Sequence, residues 1–309
     1  MSSLMKTFMR RPVAVPYSVY PQREDLPDPN VLPVPGGYYI YSTNHGQVNV
    51  PVLFSRDLEH FQVLGDAMPV LPRWARRGLT WAPDVTAASG EYRLYFTARL
   101  RRTQYQVIGV ATSRSPQGPF TATKRPLVRM LELGGAIDPA VHTSERGTSY
   151  LYWKNDGNAA GQQTWLWGAE LTQDGLGLAS APVPLLSASE TWEHNLVEAP
   201  QVIKEGGIYH LLYSCADFGN ESYAVGHAWG DHPLGPFTKT CDAPILSSYG
   251  EVAGPGHSHA FRTESGEWRL AYHGWEAGRC GYPHGRRSLH LAPLHFGRDG
   301  VRVGLEHLV

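Results

Sequence analysis

Along this chain apolar and polar residues alternate in short runs rather than at helical spacing, and the runs recur. Five of them share a glycine turn leading into an aromatic-rich stretch: Gly37-Tyr-Tyr-Ile-Tyr-Ser, Gly90-Glu-Tyr-Arg-Leu-Tyr-Phe, Gly147-Thr-Ser-Tyr-Leu-Tyr-Trp, Gly207-Ile-Tyr-His-Leu-Leu-Tyr and Gly266-Glu-Trp-Arg-Leu-Ala-Tyr. Alternation of this kind predicts a strand with one packed face, because successive strand side chains point to opposite sides. Aligned on Tyr39, Tyr92, Tyr150, Tyr209 and Trp268, the runs step by 53, 58, 59 and 59 residues. A short apolar strand precedes each, at Val31, Val85, Val141, Val202 and Ala260. A third strand follows each, as in Gly109-Val-Ala-Thr-Ser-Arg-Ser and Gly226-His-Ala-Trp-Gly-Asp.

Such repeats predict an all-β, five-bladed β-propeller, since one unit of three or four strands cannot bury both faces without neighbours. The expected blades are 28–75, 80–128, 137–186, 197–246 and 256–305, in a single domain spanning 1–309. Residues 1–27 form an extension packing on the propeller. A β-sandwich with evenly spaced hairpins is the alternative, but it does not account for one three-strand grammar repeated five times.

Composition sharpens this picture only in places. The 33 Gly and 24 Pro among 309 residues suit many short strands joined by turns. The net charge of −1 offers no electrostatic footprint for nucleic acid or an anionic membrane, so neither is an expected partner. The three cysteines, Cys215, Cys241 and Cys280, lack metal-like spacing, so a zinc site is not expected. Lys6, Arg10 and Arg11 are followed by no apolar segment of signal-peptide type, which places the protein in the cytoplasm as an expectation.

The chemistry gathers where the first strand of each blade begins. Those starts read Asp28-Pro-Asn-Val, Ala82-Pro-Asp84-Val, Asp138-Pro-Ala-Val, Glu198-Ala-Pro-Gln-Val and Gly256-His-Ser-His. Asp-Pro is a common turn opener, with Asp bonding its own backbone and Pro fixing φ. That reading does not explain why acids recur at the same place in four blades. Converging like charges disfavour joint ionisation, so such a cluster points to acid–base chemistry or metal binding.

At this point the chain resembles glycoside hydrolase family 43, from Asp28 to its end. The matching elements are Asp28-Pro-Asn-Val, Trp81-Ala-Pro-Asp84-Val, Ile137-Asp138-Pro-Ala-Val, Val197-Glu198-Ala-Pro-Gln, Gly254-Pro-Gly-His257 and Arg287-Ser-Leu-His-Leu. The resemblance implies Asp28 as general base, Glu198 as general acid and Asp138 as the residue that orients the acid and adjusts its pKa. It departs at Glu198-Ala-Pro, where many members have Glu-Gly-Pro. Inversion would separate the two working carboxyls by about 6.5–9.5 Å to admit a water, and entries of blades one and four suit that. An ionised Asp138 beside Glu198 would raise the acid's pKa.

Trp81, Asp84, His257 and Arg287 are the candidate substrate contacts. Trp81 could stack on a sugar ring or belong to the core. Asp84 could bond a hydroxyl, order the site or finish a turn. Arg287 falls where the family places a site-facing arginine. No cofactor is required for the chemistry. The resemblance implies a structural calcium ion near the axis, with His257 reaching it through water, since such a cation takes oxygen ligands first.

Loops 73–78, 156–163 and 217–222 are expected to build the subsites. The implied partner is an arabino- or xylo-oligosaccharide, and Asn49-Val-Pro-Val-Leu-Phe-Ser-Arg-Asp-Leu favours the arabinan-active branch. The predicted activity is therefore an inverting α-L-arabinofuranosidase or arabinanase. A β-xylosidase is the first alternative and a non-catalytic carbohydrate-binding propeller the second.

Overall fold

The computed structural model describes residues 25–88, 90–240, 242–297 and 300–305. Twenty strands form five four-stranded antiparallel sheets, each a simple meander. Blade one holds β1 (Asn30–Val34), β2 (Gly37–Tyr41), β3 (Pro51–Ser55) and β4 (Gln62–Asp66). Blade two holds β5 (Ala75–Ala88), β6 (Glu91–Leu100), β7 (Gln106–Ser113) and β8 (Thr121–Ala122). Blade three holds β9 (Ala136–Thr143), β10 (Ser149–Asn155), β11 (Trp165–Glu170) and β12 (Val183–Ser187). Blade four holds β13 (Val197–Glu205), β14 (Ile208–Cys215), β15 (Ala224–Gly230) and β16 (Thr238–Lys239). Blade five holds β17 (Val252–Arg262), β18 (Trp268–Glu276), β19 (Arg287–Gly297) and β20 (Gly300–Val303). This is the predicted five-bladed propeller. The expected blade bounds differ chiefly at β5, which takes up part of the anticipated 73–78 loop, and at β17, which starts at Val252.

The apolar core is divided among the five blade interfaces. Leu32, Val52, Leu94 and Phe96 pack blade one on blade two. Ile108, Val110, Leu151 and Trp153 join blades two and three, and Leu166, Leu186, Leu211 and Tyr213 join three and four. Leu212, Val225, Leu270 and Leu294 join four and five, while Val31, Ile40, Phe261 and Leu291 close five onto one. Burying one such aliphatic side chain contributes about 1.5–3 kcal/mol. No blade achieves this alone, which is why the repeat must close into a ring.

Equivalent tyrosines reinforce three of these interfaces. Tyr41, Tyr95 and Tyr152 each donate a hydrogen bond to a turn of the next blade, at the carbonyls of Pro116, Gly175 and Pro233. The closing interface has its own ties. Leu26 N–H donates to the Arg287 carbonyl at 2.8 Å, and Asp25 accepts from Arg287 N–H at 2.7 Å. The rest of the expected N-terminal extension, residues 1–24, lies outside the described residues.

Pairing corrects the alignment of the repeats by one residue in two blades. Val31, Val85, Val141, Val202 and Ala260 lie opposite Ile40, Leu94, Leu151, Leu211 and Leu270. Tyr38 and Ser149, not Tyr39 and Tyr150, therefore match Tyr92, Tyr209 and Trp268. A one-residue slip moves a strand side chain to the other face. Tyr39 and Tyr150 accordingly pack toward the following blade, whereas Tyr92 packs toward the preceding one.

Candidate active site

The inner strand of every blade turns sharply at one place. Asp28, Ala82, Asp138, Ala199 and His257 all have left-handed backbone conformations, with φ of 55°, 45°, 57°, 49° and 46°. Register shifts mark the same point in β5, β9, β13 and β17. A non-glycine residue held there costs about 1–3 kcal/mol and persists only when its surroundings over-determine it. Here each left-handed residue is pinned by its backbone N–H.

Four of those pins come from one position on, or for Thr43 just beyond, the second strand of the preceding blade. Thr43 Oγ1 accepts from Ala82 N at 2.8 Å and Thr97 Oγ1 from Asp138 N at 3.0 Å. Ser214 Oγ accepts from His257 N at 2.8 Å, and His273 Nδ1 from Asp28 N at 3.1 Å. The fifth residue at that position is Lys154, opposite Ile137 just as Thr97 is opposite Trp81 and Ser214 opposite Glu198. An ammonium cannot accept a hydrogen bond. Ala199 N–H donates instead to Asp138 Oδ2 at 3.0 Å.

This register corrects the sequence expectation that four acids occupy one equivalent position. Asp28, Asp138 and His257 do share it. Glu198 stands one residue earlier, level with Trp81, and Asp84 two residues deeper than Ala82. Two of these levels meet where Asn30, Asp84, Asp138, Gln201, His257 and His259 line a cavity of about 20 Å³.

Asp28 is buried, with two donors and two imidazoles around its carboxylate. Thr43 Oγ1 donates to its Oδ2, and Arg287 Nη1 stands 3.3 Å from its Oδ1. His257 Nδ1 lies 3.4 Å and His273 Nδ1 3.3 Å from the same oxygen. Burial would raise its pKa, but His257, Arg287 and His273 outweigh burial and hold Asp28 well below the usual carboxylate range. The group is ionised, as a base must be. Arg287 is fixed in turn by Tyr282, whose hydroxyl accepts from Nε at 3.2 Å and Nη2 at 3.0 Å, and by the rings of Phe218 and Trp275.

Glu198 is buried too. Lys154 Nζ donates to its Oε2 at 2.9 Å and Tyr223 OH to its Oε1 at 2.7 Å. Against the effect of burial, the Lys154 charge and these bonds lower its pKa. Asp138 moves the other way: burial, with the Glu198 charge added, pushes it up to about 7 despite His257. The sequence expectation had an ionised Asp138 raising Glu198. The sequence reading did not include Lys154, the buried cation beside Glu198 that favours its ionised form.

Asp84 takes the ordering role among the three considered for it. Its Oδ1 accepts from Asn30 Nδ2 at 2.6 Å and its Oδ2 from Val141 N at 2.9 Å, tying blades one, two and three. Burial pushes its pKa up to about 7. Trp81 is only half-buried and stands at the level of Glu198, where an indole face suits a sugar. His259 accepts from Val31 N at 3.3 Å and closes blade five onto blade one.

Calcium takes about six to eight oxygen ligands. Among the described residues no three His, Cys, Asp or Glu side chains come together to hold a metal. Both Asp84 oxygens already accept protein hydrogen bonds. These residues do not fit a protein-ligated calcium ion, and no step below runs through one.

Sequence reading missed Thr43, Lys154, Tyr223 and His273. For three of them a signal existed in the column Thr43, Thr97, Lys154, Ser214, His273, three residues beyond the strand-pairing position of each repeat. Tyr223 lies outside the repeat and left no such signal.

Comparison with known proteins agrees with this geometry. The profile of glycosyl hydrolases family 43 matches residues 21–302. A β-D-galactofuranosidase of Aspergillus niger is 27% identical over 65% of this chain, and the match spans 58% of that enzyme. A xylosidase/arabinosidase of Bacteroides ovatus is 29% identical over 75% of each chain. Among solved structures, a thermostable family-43 glycoside hydrolase superposes with a TM-score of 0.83 and 27% identity, covering 93% of this chain and 95% of its own. With its five-bladed ring and buried carboxylates at the axis, the chain belongs to glycosyl hydrolase family 43 and is a glycoside hydrolase.

Proposed function

We propose that this protein is an inverting α-L-arabinofuranosidase or arabinanase in which Asp28 is the general base, Glu198 the general acid and Asp138 the acid's partner. The observation that carries the assignment is that Asp28 faces His257 and Arg287, whereas Glu198 is coupled to a second buried carboxyl, Asp138. Asp28 is held ionised by Arg287 and two histidines. Glu198 belongs to a buried pair in which Asp138 titrates near neutrality. An ionised Asp28 and a proton held within the Glu198–Asp138 pair supply a base and an acid at one pH.

In the reaction so derived, Asp28 takes a proton from water as the water oxygen bonds to the anomeric carbon. Glu198 gives its proton to the leaving glycosidic oxygen as the C–O bond breaks. Arg287 and Thr43 keep Asp28 aimed, and Tyr223 and Lys154 do the same for Glu198. Trp81, half-buried at the level of Glu198, faces the sugar. The name of the Bacteroides relative, a xylosidase/arabinosidase, supports β-xylosides as the second substrate class.

The test is proton NMR of the anomeric signal during hydrolysis of 4-nitrophenyl α-L-arabinofuranoside, with 4-nitrophenyl β-D-xyloside in parallel. The inverted anomer should form first, and Asp28→Ala and Glu198→Ala should both abolish its formation from a natural oligosaccharide. First release of the retained anomer would overturn the roles given to Asp28 and Glu198. Turnover of the xyloside alone would replace the substrate class.

A further inference from the structure

Lys154 breaks a rule that the other four blades obey. At its position the ring otherwise carries acceptors, Thr43, Thr97, Ser214 and His273, each holding the backbone N–H of the next blade's left-handed residue. Lys154 accepts nothing, is almost fully buried (side chain 1% exposed) and spends its charge on Glu198 Oε2 at 2.9 Å. The vacated acceptor role passes to Asp138 Oδ2, which holds Ala199 N–H at 3.0 Å. One departure from the repeat thus makes two contacts, a cation to Glu198 and a backbone donor to Asp138.

We propose, resting on the catalytic reading above, that Lys154 is the positioning residue that keeps Glu198 a carboxylate in the unliganded enzyme, so that the proton of the pair rests on Asp138. A buried carboxylate without a partner would take up a proton, whereas one facing a buried ammonium keeps its charge. The other charged and titratable groups facing Glu198 are Asp138 on β9, Cys215 on β14, Tyr223 from the segment before β15, His257 on β17 and Asp156 beyond β10. Those facing Asp138 are His257, Glu198, Lys154, Asp28 and Tyr223. Of these Lys154 alone is a permanent cation in hydrogen-bond contact with either acid.

The proton count closes without another reactant. Substrate binding places the glycosidic oxygen, an acceptor, against Glu198 and favours the tautomer in which the proton has moved from the Asp138 carboxyl to the Glu198 carboxyl. That proton then forms the O–H bond of the leaving alcohol while Asp28 takes one from water. After product leaves, Asp28 releases its proton to solvent and Asp138 takes one up, which restores the starting state.

The experiment follows side-chain carboxyl carbons by 13C NMR across pH in the unliganded protein, in wild type, Asp138→Asn and Glu198→Gln. Beside the Asp84 titration common to all three proteins, a second titration near neutrality should vanish in Asp138→Asn and persist, moved to lower pH, in Glu198→Gln. The opposite pattern overturns the proposal. The pH dependence of kcat/KM is then compared for wild type, Lys154→Met and Lys154→Arg. Losing the cation strengthens proton binding by the pair, so the alkaline limb of Lys154→Met should move up by about one pH unit. Lys154→Arg, which keeps the charge, should leave the limb in place. An unmoved limb in a folded Lys154→Met protein refutes the role. Should no pentoside be turned over, the catalytic reading fails, while the NMR titration still decides where the proton rests.

Discussion

A methyl group added at Gly256 should disable the acid from a distance. An ideal Cβ there would sit 2.1 Å from Tyr223 Cε1 and 2.3 Å from Cδ1. Ordinary contact needs roughly 3.4 Å or more, so the ring must retreat by more than an ångström. It has little freedom to do so, being fully buried and stacked on His273 with centroids 5.6 Å apart and planes 8° from parallel. The retreat lengthens the 2.7 Å bond from Tyr223 OH to Glu198 Oε1 beyond hydrogen-bond range. Overpacking costs about 1–3 kcal/mol of stability, and loss of a bond to a charged group a further ~1.5–3 kcal/mol. Gly256→Ala should therefore lower Tm by several degrees and kcat by about 10- to 100-fold. The decisive assay is a double-mutant cycle with Tyr223→Phe, which removes the hydroxyl without the clash. If the argument holds, most of the kcat loss in Gly256→Ala disappears in the Tyr223→Phe background, because the bond it breaks is already gone. A kcat for Gly256→Ala within twofold of wild type, or an undiminished loss in the Phe background, would falsify the chain of reasoning.

Arg287→Met removes a cation that holds Asp28 ionised, so the acidic limb of kcat/KM should move to higher pH, with a fall in kcat of about 100-fold or more; a limb that stays put would deny Arg287 this part. The same linkage has a stability side: Asp28, with a depressed folded pKa, stabilises the fold above its unfolded value, and that contribution is lost as pH falls through the folded one. Acid unfolding of Arg287→Met should thus begin at higher pH than in wild type, measured by tryptophan fluorescence. Asp84→Asn places an amide against the donors Asn30 Nδ2 or Val141 N–H and should cost about 1–3 kcal/mol in denaturant unfolding while leaving KM unchanged; a raised KM with wild-type stability would return Asp84 to substrate binding.

The sequence by itself determined the repeat, and with it the ring. Alternating aromatic runs led by glycine at steps of 53 to 59 residues admit few architectures, because each run exposes an apolar face that only a neighbouring copy can cover. The acids Asp28, Asp138 and Glu198 were legible for the same reason, as polar residues at the mouths of otherwise apolar strands. Register was not. Whether Tyr38 or Tyr39 matches Tyr92, and whether Glu198 or Ala199 matches Asp138, turns on single-residue bulges that leave no mark in composition. The charge states were still less accessible. They depend on Lys154, 44 residues before Glu198, and on Arg287, 259 residues after Asp28, meeting those acids in a buried site. Electrostatic coupling falls with distance and grows with burial, and both are set only when five separately written blades close around one axis.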